Sequence, residues 1–275
     1  MPRLITRTTL SWLLCMIAVG WIGNAAADDL AKASQNPVGD IVSLPIEVWH
    51  YGGMPGNSSA TALIAKPVYP VNLGELNLVN RFIIPYLGID ANLSRLDLGP
   101  SEVPISDVNR DGFGNIQYQA FFTPAKPGQV IWGVGPVFEM PTNTNDLGTD
   151  KWSAGPAVVV LTMPGNWVLG ALAQKLWSFA GSDSAQSVNK LMFQYFVNYN
   201  LPNGWYLTST PIISADWNKP SSDRWTVPLG GGFGRLVKFG KQPMDFRVQA
   251  FANVVTPDAG PDWTVMGAVK FLFPK

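Results

Sequence analysis

Acid–base chemistry at neutral pH most often uses histidine, and the 275-residue chain has one, His50. A serine hydrolase needs a hydroxyl within hydrogen-bond reach of such a base. His50 is followed by Tyr51, Gly52 and Gly53, so the nucleophile would have to be Ser58 or Ser59 from the adjoining segment. One histidine and scattered carboxylates give no metal-ligand spacing. The run Asp107-Val108-Asn109-Arg110-Asp111-Gly112 begins like a calcium loop and then loses the ligand rhythm. The glycine clusters 133–135 and 230–234 lie in strand-like stretches with no helix after them and no Gly-Lys-Ser/Thr, which argues against a phosphate cradle. The expectation is no catalytic residue, no cofactor and no metal, with the glycines serving bends or close packing.

The remaining chemistry-bearing side chains are charges that recur on one parity of alternating segments. The run 244–254 sets Met244, Phe246, Val248, Ala250, Ala252 and Val254 against Asp245, Arg247, Gln249, Phe251 and Asn253. The runs 190–200 and 116–122 divide in the same way, into an oily and a mostly polar face. Neighbouring side chains of a strand point to opposite faces, so this is the pattern of strands with two unlike surroundings. On the polar parity Lys66, Arg81, Lys190, Asp216, Asp245, Arg247 and Lys270 are the candidate lumen-lining residues. Lys175 breaks the pattern by sharing parity with Trp167 and Trp177, which points to a bulge there or to a different strand boundary.

The segments that carry these residues are separated by punctuation of two kinds. Short separators are 73–75, 124–128, 164–166, 202–204 and 240–242; long or polar ones are 50–59, 88–114, 141–150, 180–187, 218–223 and 256–262. Eleven connections join twelve strands of about ten to fourteen residues. An even count, with short turns alternating with long loops, is the layout of an antiparallel transmembrane β-barrel: an all-β fold with both termini on the periplasmic side. The 88–114 loop is expected to fold inward or cover the mouth. Trp152, Trp167, Trp177, Trp205, Trp217, Trp225 and Trp263 fall at or near strand ends, where membrane-interface aromatic residues belong, because indole pairs an apolar body with one N–H donor. A soluble sandwich or lipocalin-like barrel is the alternative; its strands are usually shorter, about 5–6 residues, and lack tryptophan at both ends. Pro67, Pro85, Pro136, Pro156, Pro211 and Pro228 count against regular strands and are expected at bulges or strand ends.

Composition agrees with a lipid-exposed chain. Charged residues make up 14%, against roughly 25% in ordinary soluble proteins, while 47% are hydrophobic. Residues 1–27 combine Arg3 and Arg7, an apolar centre and Ala25-Ala26-Ala27, as in a secretory signal peptide cleaved before Asp28. Removing them takes two of the 19 basic residues and none of the 19 acidic ones, leaving 17 against 19, a net charge of minus two that excludes a strongly basic nucleic-acid surface. Cys15, the one cysteine, leaves with that segment. Residues 28–40 read as a polar periplasmic lead-in in which Pro37 and Gly39 end any helix, and 41–275 as the barrel. The last strand, with Val265, Gly267, Val269, Phe271 and Phe273 alternating, matches the signal that hands a barrel to its assembly machinery, apart from the trailing Pro274-Lys275.

Six segments carry a resemblance: GDIVSLP (39–45), IWGVGPVFEMPT (131–142), NYNLPNGWYLTSTPII (198–213), RWTVPLGGGFG (224–234), GKQP (240–243) and GPDWTV…FLFPK (260–275). Together they resemble the meta-pathway phenol-degradation outer-membrane family, whose members are sometimes mislabelled neuromedin U. The resemblance implies an outer-membrane barrel, relatives tied to the breakdown of aromatic compounds, and no catalytic residues to transfer. The expected function is passive passage of small aromatic or apolar solutes, in a monomer whose partners are outer-membrane lipid, the assembly machinery and the solute. A closed structural or surface-interaction barrel is the alternative, and a lipid hydrolase a third.

Overall fold

The computed structural model describes residues 25–90, 95–97, 102–104 and 110–274. Most of the expected signal segment, and residues 91–94, 98–101 and 105–109 of the 88–114 loop, lie outside the described residues. Helix α1 (Ala25–Ser34) precedes the strands β1 (Val42–Met54), β2 (Ser58–Ala65), β3 (Val68–Asn72) and β4 (Leu76–Asp90). A small hairpin, β5 (Arg95–Asp97) and β6 (Glu102–Pro104), stands apart from the main sheet. Then come β7 (Arg110–Phe113), β8 (Ile116–Pro124), β9 (Val130–Met140), β10 (Lys151–Thr162), β11 (Trp167–Gly181) and β12 (Asn189–Asn200). The chain ends with β13 (Trp205–Ser209), β14 (Ile212–Asp216), β15 (Trp225–Phe239), β16 (Gln242–Val255) and β17 (Trp263–Phe273).

Three staves of the barrel are broken into pairs: β2 with β3, β7 with β8, and β13 with β14. Counted so, twelve antiparallel staves close when β1 pairs along its length with β17, from Val42↔Phe273 to Gly52↔Trp263. Closure leaves no open edge, so every stave has a ladder on both sides, as a hydrocarbon surrounding demands. The first loop is shorter than expected: β1 runs on to Met54 and β2 starts at Ser58, leaving only the 3-10 turn Pro55–Asn57 between them. Gly53 at φ 76 and Gly56 at φ 70 supply the reversal there, and so a stretch that reads as loop becomes strand.

The prolines explain the breaks. Pro67 and Pro211 stand in the gaps of two broken staves, and Pro85 lies opposite the third, where Gly114 donates to the Pro85 carbonyl at 3.0 Å. Pro228 marks a register shift against β16. Pro136 and Pro156 face each other across the β9–β10 ladder. On its other side each meets an interrupted ladder, between Gln119 and Phe122 of β8 and between Gln174 and Trp177 of β11, so the missing donors fall where no ladder bond is made.

The inner face holds two main clusters, one around Trp49, Leu87, Phe251 and Met266, the other around Phe121, Val137, Val159 and Leu172. The outer face is apolar and uncovered: Phe82, Phe122, Trp132, Val134, Phe138, Val158, Leu207 and Phe233 are all exposed. In a globular domain such a surface would be an aggregation liability; on a closed barrel it is the lipid band.

Helix α1 and the segment after it do not hang free. Asp28 accepts the Gly204 N–H at 2.6 Å, and Lys32 Nζ donates to the carbonyls of Met163 and Gly165 at 2.8 and 2.6 Å. Both contacts are with short turns, so the helix lies across the turn end of the barrel. Ala31 packs with Leu236 and Leu272, and Val38 reaches the inner cluster of Phe121 and Val137.

Candidate functional site

The candidate site is the barrel interior, and its hub is Glu47. Alternation along β1 turns Ser43, Pro45, Glu47 and Trp49 inward. The Glu47 carboxylate accepts from Lys66 Nζ at 2.7 Å, from the Trp49 indole N–H at 2.8 Å and from Arg247 Nη2 at 3.2 Å. Ladder register places these groups. Glu47 is opposite Ala268, and Ala268 is opposite Arg247, so a small residue on β17 lets the two charges meet across it. Next along, Arg247 is opposite Gly234 and Gly234 is opposite Tyr206. A methyl at 234 would strike the Tyr206 ring, which leans over this glycine so that its hydroxyl donates to Asp245 at 2.7 Å.

A second polar chain in the interior joins β8 to β11, two staves beyond its neighbour in the sheet order, and ends on the adjacent stave β9. Gln119 donates to Gln174 at 2.5 Å, Gln174 to Gln117 at 3.1 Å, and Gln117 to the Glu139 carboxylate at 2.7 Å. Buried amides and acids paired in this way fix the curvature of the wall from β8 to β11.

Two chambers lie among the described interior residues. The one nearer the loops has a volume of about 120 Å³ and is walled by rings: Trp49 stacks with Tyr51 and with Phe251, each pair at 6.4 Å between centroids. Leu87, Met192 and Ile212 add to its apolar lining, and Pro261 closes in from the 256–262 loop. Leu147, from the 141–150 loop, is buried in the same cluster as Trp49 and Met54. That loop is strapped down: Arg110 binds the Asn145 carbonyl and Asp146, Asn145 binds the Asp111 carbonyl, and Tyr86 donates to the Asp111 carboxylate. The second chamber, also about 120 Å³, lies toward α1 and is polar, bounded by Ser34, Gln35, Glu47, Asp245 and Arg247. Lys66, Arg81, Leu172 and Gln194 border both chambers and form the partition between them.

Of the charges singled out in the sequence, Lys66, Arg81, Asp245, Arg247 and Lys270 gather around the second chamber. Lys270 donates to the Ser34 carbonyl at 2.7 Å and so ties α1 to the wall. Lys190 and Asp216 border neither chamber; they are direct cross-strand partners between β12 and β14, toward the loop end. Among the tryptophans, Trp152, Trp167, Trp177, Trp217 and Trp263 are exposed, while Trp205 and Trp225 are half-buried. Trp167 and Trp205 begin strands at the turn end; the other five stand at the loop end. Trp217 and Trp225 meet edge to face at 6.0 Å, and the Arg235 guanidinium lies 5.0 Å from the Trp205 ring.

Lys175 is not displaced by a bulge. The β11–β12 ladder runs unbroken through Lys175↔Leu191, so the side chain does point outward, and its ammonium rests 5.6 and 5.0 Å from the Trp177 and Trp217 rings. The bulge of this region lies further on, where Ser178 and Ala180 pair with Ser153 and Trp152. His50 also stands on the outer parity, bonded to Thr61 at 3.0 Å and 5.6 Å from the Trp263 ring. Asp107 and Asn109 lie outside the described residues. Sequence reading missed Glu47, Tyr206 and the glutamine chain; parity in β1 was the available signal for Glu47.

The family model described as "Putative MetA-pathway of phenol degradation" matches residues 31–265. Among solved structures, the COG4313 outer membrane channel from Pseudomonas putida F1 superposes with a TM-score of 0.63 at 13% identity, over 86% of this chain and 97% of that one. The Pseudomonas putida toluene transporter TodX gives 0.45 at 9% identity, over 92% of this chain and 94% of that one. Outer membrane phospholipase A from Escherichia coli gives 0.44 at 10% identity, over 93% and 99%. No curated protein matches the sequence.

Proposed function

The chain belongs to the family of the putative MetA-pathway of phenol degradation, and from that premise we propose that it is an outer-membrane channel or transporter for passive passage of small apolar or aromatic solutes. The observation that carries this reading is the ring-walled chamber of about 120 Å³ inside a closed barrel. It is of the same order as an engineered cavity of about 150 Å³ that takes up benzene. In proteoliposomes, the protein should speed toluene entry over protein-free vesicles; equal rates would remove the transport reading.

In this reading residues 1–27 are the cleaved signal, 28–40 lie at the periplasmic mouth, and 41–275 cross the membrane. Lys66, Arg81, Asp245, Arg247 and Lys270 line the route, with Lys190 and Asp216 at its outer rim. The seven tryptophans sit at headgroup level, where the outward Lys175 ammonium also finds water. The protein acts as a monomer, which a single-barrel mass in detergent would show. β17 serves as the signal to the assembly machinery, so Phe273→Asp should lower assembly in cells while leaving refolding in detergent intact. We read the protein as non-enzymatic, because His50 bonds Thr61 on the outer surface rather than a serine. The helix across the turn end favours a second reading, a closed barrel that conducts nothing. Planar bilayers separate the two, since the closed barrel gives no conductance and no uptake.

A further inference from the structure

We infer that the solute carries an anionic group, and that the partition between the chambers is a binding site for an aromatic carboxylate, its ring among Trp49, Tyr51 and Phe251 and its charge on Arg81. This inference rests on the transport reading and names the class of molecule carried.

Most of the interior charges already have partners. Four cations and two carboxylates border the second chamber, the lower one if the loop end is set uppermost. Lys66 and Arg247 are both held by Glu47, Lys270 by the Ser34 carbonyl, and Asp245 by Tyr206. The Arg81 side chain makes no hydrogen bond and no ion pair among the described residues. Its Nη1 is shielded from solvent and unpartnered; the guanidinium lies 5.9 Å from the Phe121 ring and feels the Glu47 carboxylate only at longer range, that carboxylate being bonded to Lys66 and Arg247. Beside it, directly across the β4–β8 ladder, the Gln119 Oε1 is also buried without a donor. A guanidinium nitrogen buried without an acceptor is expensive, and with Glu47 already committed to Lys66 and Arg247 the fork is open to a further anion.

Arg81 and Lys66 also border the upper chamber, where the stacked rings stand. A molecule lying across the partition would place a ring on the aromatic wall and an oxygen pair on the guanidinium fork, the geometry in which arginine holds carboxylates best. The surplus of positive charge around the lower chamber draws the same end of the molecule downward. Gln119 Oε1 would accept from a hydroxyl on the ring, a feature a simple benzoate lacks.

The test compares benzoate, toluene and acetate, which separate the ring from the charge. Equilibrium dialysis with labelled ligand on the full-length barrel in detergent should show benzoate binding about tenfold tighter than either of the others. Arg81→Gln should erase that advantage and leave toluene binding unchanged, while Arg81→Lys should retain part of it; resistance to gel unfolding checks that each variant is assembled. Acetate binding as tightly as benzoate, an Arg81→Gln barrel that still prefers benzoate, or equal loss of toluene and benzoate would each overturn the inference. Wild-type protein that takes up toluene in vesicles yet does not prefer benzoate overturns this inference alone; failure to pass any of the three also removes the transport reading.

Discussion

Glu47 holds three donors at once, and removing it would strand two of them as unpaired cations inside the barrel. Breaking a buried ion pair from one side costs more than the pair itself is worth. Glu47→Ala should therefore destabilise the barrel by on the order of 3 kcal/mol, read from urea unfolding in detergent micelles. A change under about 0.5 kcal/mol would mean that water, not Glu47, satisfies Lys66 and Arg247. Gly234 makes a complementary prediction. A methyl there overlaps the Tyr206 ring and meets the Phe246 carbonyl, so Gly234→Ala should cost about 1–3 kcal/mol; a Tyr206→Phe background should relieve only the ring's share, and no relief at all would show that the hydroxyl bond to Asp245 does not pin the ring. At this scale the sequence showed which parity was polar, so Asp245 and Arg247 could be placed inside. It hid the pairings, because Glu47 and Arg247 are 200 residues apart and meet only through ladder register.

At the scale of elements, the alternation of five short and six longer connections was enough to count the staves. The exception is instructive: Gly52-Gly53-Met54-Pro55-Gly56 has loop composition, yet β1 extends through Met54 because the reversal needs only Pro55–Asn57. Helix α1 was the least legible element. Its segment reads as a polar leader, and what fixes it is long-range: Asp28 to the turn at Gly204, Lys32 to the turn at Met163–Gly165, Lys270 to Ser34. Polar contacts of this kind leave no periodicity in the sequence. A barrel lacking residues 28–40 should conduct more in planar bilayers than the full chain does. Unchanged conductance would show that α1 does not narrow the turn end.

For the whole molecule, the decisive inversion is that the oily parity faces outward. Composition and tryptophan placement made that legible, whereas the interior charge network was not. If hydrocarbon covers the outer band, Val158→Arg, at an exposed mid-strand position, should lower stability in lipid vesicles by about 2–4 kcal/mol. The same change on a water-facing surface would be nearly neutral. The route through the interior is tested most directly by closing the chamber in assembled protein. Ile83 lines the loop-side chamber, and in an Ile83→Cys barrel produced as residues 28–275, which lack Cys15, the new side chain would be the one thiol. Toluene uptake into proteoliposomes is measured before and after a benzyl thiosulfonate places a ring on that thiol. The account predicts that uptake falls to the protein-free rate once labelling is complete; undiminished uptake by the fully labelled barrel would contradict it.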